Sequence, residues 1–159
     1  MNISFTQPRL KKAGAQGFLV FGLYLLLSTS SAQVVTKLAN TTDRTSDTDF
    51  SLREAIDVAT DGATVTFQTG LSGTINLTSG EIVIDENTLT INALGTSLTL
   101  DGQNANRIFN HTGNGTLTVN SLTFQNDNAG NADGGAISSV GTSVIIESTF
   151  RNNTSTLTS

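Results

Sequence analysis

The chain has 159 residues, of which 36% are hydrophobic, no cysteine, and a formal net charge of −5. That is length for one domain core, with no disulfide to staple it. The acidic balance argues against a nucleic-acid or anionic-membrane surface, which needs clustered Lys and Arg.

Residues 1–32 read as a secretory signal. Arg9, Lys11 and Lys12 supply the basic end, Phe18 to Leu27 is an apolar run of 10 residues, and Ser30 and Ala32 are the small residues a signal peptidase reads. A membrane span needs about 20 apolar residues, so this run is too short for one. The mature chain is expected to start near Gln33 without a membrane span. All 13 acids and five of the eight bases lie in it, for a net charge of −8. Residues 33–62 are expected to form an N-terminal strand, loop and helix, and 63–159 a series of strands.

Val34 to Ala39 reads as the first strand, and Asn40 to Asp49 as a polar loop carrying Asp43, Asp47 and Asp49. Hard cations favour clustered oxygens, so calcium is the one cofactor such a loop would suit, although its spacing fits no standard calcium loop and none is required. Helix is expected over Ser51–Thr60. Ser51 and Glu54 have the spacing of a capping box, and Phe50 stands where it can staple the first turn. Leu52, Ala55, Ile56 and Ala59 give one apolar face. Arg53 is expected to pair with Asp57, four residues on. Asp61-Gly62 ends the helix.

Strands follow at Thr64–Phe67, Gly73–Leu77 and Glu81–Asp85. Then one phrase recurs. Leu89-Thr90-Ile91-Asn92 returns as Leu117-Thr118-Val119-Asn120 and as Val144-Ile145-Ile146-Glu147, at steps of 28 and 27 residues. Each copy alternates with the strand period of two. Further strands are expected at Leu98–Asp101, Arg107–Asn110, Leu122–Phe124 and Ala136–Ser138, with Gly and Asn at the corners. Strands at a fixed phase of a 20–50-residue period describe a solenoid. The fold expected is all-β: a parallel β-helix of about four rungs with an N-terminal capping α-helix. Leu89, Leu117 and Val144 would form one interior column, and Ile91, Val119 and Ile146 another. Asn92, Asn120 and Glu147 would form a ladder at the turn. A series of antiparallel hairpins in a β-sandwich is the competing architecture, but it would lack this phase.

Phe50-Ser51-Leu52-Arg53-Glu54-Ala55-Ile56, with Thr-Val-Thr-Phe at 64–67, resembles the CSLREA motif that opens many exported bacterial right-handed β-helix proteins of pectin-lyase-like fold. Phe50 stands where the motif has Cys. Gly134-Gly135-Ala136-Ile137 and Phe150-Arg151-Asn152-Asn153 resemble the GGAI and FxxN repeats of polymorphic outer-membrane proteins and related adhesins. The resemblance implies a right-handed β-helix and a secreted, cell-surface or outer-membrane location. It implies a carbohydrate or cell-surface ligand as partner. The same scaffold carries both enzymes and adhesins, so it does not by itself decide activity.

The search for chemistry finds no catalytic constellation. Arg107 and Arg151 fall on different rungs. Asp101 reads as a turn residue and His111 as a solvated corner residue. The Gly-His-Gly and Asn-Thr-Asp elements of the hydrolases on this scaffold are absent. Asp127 and Asp133, in the Asn/Asp/Gly loop from Gln125 to Asp133, are the weak candidates for a metal. Thr88-x-Thr90 and Thr116-x-Thr118 would stack as in ice-binding solenoids, with Ser143-x-Ile145 breaking the array. A non-catalytic scaffold or adhesin is the expected function, acting as a monomer or as part of a longer chain. The alternative is the N-terminal part of a polysaccharide lyase or glycoside hydrolase. No closing segment follows Phe150, so a truncated product of a longer repeat protein is expected.

Overall fold

The structure is a computed structural model that describes residues 32–43 and 48–156. The signal expected over 1–32, apart from Ala32, lies outside the described residues, as does Asp47. The elements are β1 (Gln33–Val35), α1 (Leu52–Asp57), β2 (Ala63–Phe67), β3 (Ser72–Asn76), β4 (Ile82–Ile84), β5 (Leu89–Asn92), β6 (Ser97–Asp101), β7 (Phe109–His111), β8 (Thr116–Asn120), β9 (Leu122–Gln125), β10 (Ile137–Ser139), β11 (Thr142–Ile146) and β12 (Thr149–Arg151). They form three sheets, ordered β1-β2-β5-β8-β11, β3-β6-β9-β12 and β4-β7-β10. Every strand pair is parallel. Successive strands belong to different sheets, so the chain winds as a β-solenoid. Among the described residues its complete turns number three, β2–β4, β5–β7 and β8–β10, with β11 and β12 beginning another, where about four rungs were expected.

A single turn cannot bury its inner face; stacking does it. On the first sheet Val65, Ile91 and Val119 align, as do Ala63, Leu89 and Leu117. All six are buried. On the second sheet Ile75, Leu100, Phe124 and Phe150 form a column. Phe124 stacks on Phe150 with ring centroids 4.7 Å apart and 4° between planes, and meets Phe109 edge-on at 5.7 Å. Each fully buried side chain of this size contributes roughly 1.5–3 kcal/mol, and ring pairs add about 0.5–1.5 kcal/mol more.

The third copy of the repeat is out by one residue from its expected position. β11 pairs Ser143 with Leu117, Val144 with Thr118, Ile145 with Val119 and Ile146 with Asn120. Ser143 and Ile145 therefore continue the interior columns, and Val144 and Ile146 the outer ones. Val144-Ile145-Ile146 is apolar at both phases, so alternation cannot choose between them. The corners choose. Ser121 and Glu147, and likewise Asn126 and Asn152, share the left-handed conformation at 26-residue spacing. Gly141 lies so close to Gly115 that a Cβ on it would stand 2.2 Å from the Gly115 carbonyl oxygen. The same correction puts Thr142 and Val144, not Ser143 and Ile145, in line with Thr116 and Thr118. The Asn92–Asn120 ladder forms, with Asn120 Nδ2 donating to Asn92 Oδ1 at 3.3 Å, but Ile146 replaces Glu147 as its next member.

Helix occupies only Leu52–Asp57, short of the Ser51–Thr60 expected. Its capping box is complete: Glu54 N donates to Ser51 Oγ at 3.2 Å, and Ser51 N to Glu54 Oε2 at 2.8 Å. Gly62 N donates to Thr88 O at 2.7 Å, which draws the chain into sheet pairing soon after the helix ends. Leu52, Ala55 and Ile56 are buried, and α1 lies against β1 and β4. Among the described residues no helix is long and apolar enough to cross a membrane.

Candidate functional site

A cleft of about 610 Å³ opens between α1 and β4, lined in part by Arg53, Glu54, Asp57, Glu81 and Val83. The capping box turns Glu54 inward, while the helix points Arg53 along the cleft floor. Arg53 does not pair with Asp57 as expected. Its Nε donates to Asn40 Oδ1 at 3.1 Å and its Nη1 to Glu81 O at 2.9 Å; Nη2 reaches Gly80 O. Two half-buried carbonyls just before β4 win over a solvated carboxylate because hydrogen bonds from a charged donor contribute more than a surface ion pair does. Burial lowers the Arg53 pKa.

Glu81 is equally committed. Its Oε2 takes Arg107 Nη2 at 2.7 Å and Nε at 2.9 Å, and its Oε1 takes Asn110 Nδ2 at 3.0 Å. Arg107 Nη1 bonds to Asp133 O. This chain of bonds ties β4, the start of β7 and the loop before β10 across three turns. In the N-terminal loop, Lys37 Nζ sits 3.5 Å from Asp43, 3.3 Å from Asp49 and 3.3 Å from Glu54. An ammonium thus sits between Asp43 and Asp49 of the acidic loop, whose spacing fits no standard calcium loop.

His111 is not solvated. It is fully buried in β7, in the column Ile84–His111–Ser139. Its Nε2 faces the carbonyls of Glu86 at 3.0 Å and Asn87 at 3.2 Å, and its Nδ1 lies 2.7 Å from Ser139 Oγ. Two carbonyl acceptors require a proton on Nε2, so in the neutral ring the Ser139 hydroxyl donates to Nδ1. Sequence reading missed this site because it ended the strand at Asn110. The 27- and 28-residue spacings from Ile84 to His111 to Ser139 carry the signal.

Asp101 ends β6. Gln103 N donates to its Oδ1 at 2.8 Å, and Gln125 Nε2 and Asn126 Nδ2 to its Oδ2 at 2.6 and 3.0 Å. Burial pushes the Asp101 pKa up, but these hydrogen bonds outweigh it and leave it lowered. Arg151 donates to Gln125 Oε1 at 2.8 Å, so Asp101, Gln125 and Arg151 form a ladder across three turns.

The loop after β9 holds the two metal candidates. Asp133 is exposed. Asp127 is 1% exposed, and neither of its carboxylate oxygens has a hydrogen-bond partner. The nearby Gly102 amide bonds instead to Gln125 O at 3.0 Å. Burial raises the Asp127 pKa to about 7; the Gly102 backbone pulls it down and the Asp101 charge adds to the rise. Among the described residues no group of three or more His, Cys, Asp or Glu side chains gathers where it could hold a metal.

The outer face of the five-stranded sheet is the most regular surface these elements build. Thr64, Thr90 and Thr118 align in one column, and Thr66, Asn92 and Asn120 in the next. All six are partly exposed. Neighbouring strands lie about 4.8 Å apart and alternate residues about 6.6 Å apart along a strand, so the hydroxyls and amides form a flat grid. Compared with protein families, with curated proteins and with solved structures, the chain gives no match.

Proposed function

We propose that this chain is an exported or cell-surface β-helix scaffold of adhesin type, which holds a carbohydrate or cell-surface ligand without turning it over. The observation that carries the reading is the Thr/Asn grid on β2, β5 and β8. A rigid, flat, uncharged array of donors and acceptors suits the hydroxyl-rich face of a polysaccharide. It also agrees with the resemblance of Gly134–Ile137 and Phe150–Asn153 to the repeats of adhesins, and with the signal-like residues 1–32. In this reading the solenoid is right-handed, and α1 with its complete capping box closes the N-terminal mouth. The committed hydrogen bonds of Arg53, Glu81, Arg107 and Asp101 serve the architecture. Proton transfer would need one of these groups to give up its partners.

The test is binding against turnover. Immobilised glycans and whole cells should retain the purified chain, and Thr90→Lys with Thr118→Lys should lower retention at least tenfold with an unchanged circular dichroism spectrum. Release of unsaturated products or reducing ends from pectate above a boiled control would instead identify a lyase or hydrolase and end the scaffold reading.

A further inference from the structure

The three sheets differ in how their first strands are covered. β2 pairs with β1, and Val35 of β1 is bridged in turn by Phe50. On β3, Leu38 packs so close that a Cβ on Gly73 would stand 2.8 Å from its Cδ1. β4 ends its sheet among the described residues, and α1 lies against it in place of a strand.

In a parallel ladder the N–H and C=O of one residue point to the same side, and successive residues alternate. Ile82 N donates to Ile108 O and Thr112 N to Ile84 O, both at 2.8 Å, so Ile82 and Ile84 face β7. Glu81 and Val83 therefore face the other edge. Arg53 closes the start of that edge by donating to the carbonyls of Gly80 and Glu81. Its reach stops there. Among the described residues nothing bonds to the N–H or C=O of Val83, which lines the cleft of about 610 Å³ and is 53% exposed.

The helix side of the cleft is acidic. Asp57 lines it, exposed at the end of α1. Asp61, Asp85 and Glu86 share its field: burial pushes the Glu86 carboxyl up first, its own backbone pulls it down, and the charges of Asp85, Asp61 and Asp57 raise it further. The basic residues nearby are spent, Lys37 on Asp43, Asp49 and Glu54, Arg53 on carbonyls, and Arg107 on Glu81. Among the described residues no basic side chain pairs with Asp57, Asp61, Asp85 or Glu86.

We infer that this cleft is a peptide-binding site, in which an extended segment of another protein adds a strand to the free edge of β4 at Val83 and sets a basic side chain against Asp57. Unpaired edge groups select a backbone as the ligand. The unneutralised acids select lysine or arginine on it. Val58 and Val83, both at least partly exposed in the cleft wall, offer contact to apolar side chains. Successive side chains of a strand point opposite ways, so the segment that fits alternates apolar and basic residues. The cleft volume lies within the ~300–1,000 Å³ usual for ligand sites. The site lies on a different sheet from the Thr/Asn grid and does not depend on it.

The probe is a fluorescein-labelled peptide of about five residues, ~17 Å when extended, that alternates valine and lysine. Anisotropy titration with the full chain at low salt should give a Kd of about 100 μM or tighter. Glutamate in place of the lysines, or N-methylation of the peptide's backbone amides, should each weaken binding at least tenfold. Asp57→Lys should do the same with an unchanged circular dichroism spectrum. So should Val83→Pro, which removes the edge N–H where edge strands tolerate proline; should that variant fail to fold, the N-methylated peptide still reads the edge pairing. Deuterium exchange at the Val83 amide should be fast in the free chain and at least tenfold slower with saturating peptide. No binding up to about 1 mM overturns the proposal, as does equal binding by the N-methylated peptide or by Asp57→Lys. Protection of Val83 without peptide overturns it too. If that protection is independent of concentration, the chain covers the edge itself; if it grows with concentration, a second copy does.

Discussion

Asp127 is a carboxyl in a place built for an amide. One turn on, Asn153 occupies the matching position after Phe150, and its Nδ2 donates to Phe124 O at 3.2 Å. Asp127 follows Phe124 at the same interval, and only its protonated form has a hydrogen to donate. Its pKa of about 7 in the fold lies above the ordinary 3.8. The folded state then binds the proton more tightly than the unfolded chain does. The stabilisation is fully present below about pH 4 and is lost as pH rises to about 7. Asp127→Asn should therefore raise stability at pH 8 by on the order of 2 kcal/mol, and by little at pH 4. Urea unfolding of both proteins across this pH range checks it, and a pH-independent difference would refute the assignment. Sequence reading noted Phe150-x-x-Asn153 alone; the matching Phe124-x-x-Asp127 carries the same spacing one turn earlier. What was not legible is that the loop turns the carboxylate inward, because burial is decided by the turns on either side.

At the scale of elements, alternation worked where polar and apolar residues strictly alternate. Leu89-Thr90-Ile91-Asn92 is β5 to the residue. It failed where apolar residues run together, in Ile108-Phe109 and Val144-Ile145-Ile146, since a continuous run fits two phases equally. The first expected strand, Val34–Ala39, likewise shrinks to Gln33–Val35, after which Thr36 and Lys37 bond to Phe50 O instead of to β2. The register of β11 makes a direct prediction. Ile145→Ala should cost about 1 kcal/mol, a partly buried fraction of a full core truncation, whereas Val144→Ala in the outer column should stay within about 0.5 kcal/mol. The opposite order in chemical denaturation would restore the 27-residue phase. At α1, Ser51→Ala removes the acceptor of Glu54 N and the donor to Thr41 O. It should cost about 1 kcal/mol, visible as a lower denaturation midpoint at unchanged slope.

For the whole molecule, the class of fold was readable because the repeat is a property of the entire chain, and errors of one residue in a strand leave it intact. The site was less readable. Apart from the Asn40 amide on Arg53, thirteen residues away, the partners of Arg53, Glu81 and His111 are backbone atoms and side chains 24 to 29 residues away. Such partners become neighbours only after the winding is known. Each turn touches mainly the turns beside it, so stability is close to a sum over turns and their interfaces.

That locality makes length itself a free variable. Leu117 and Ser143 occupy equivalent places 26 residues apart, so an in-frame duplication of 78 nucleotides covering residues 117–142 adds one closed circuit and disturbs no partner on either side. A duplication half as long would carry the path to the wrong wall and reverse the inside and outside of everything after it. The lengthened protein should unfold with a denaturant slope roughly a third larger, as three circuits become four, and the half-length insertion should fail to fold. Recombination between copies of such a gene would thus change reach in whole steps, while the chemistry of its walls stayed as it was.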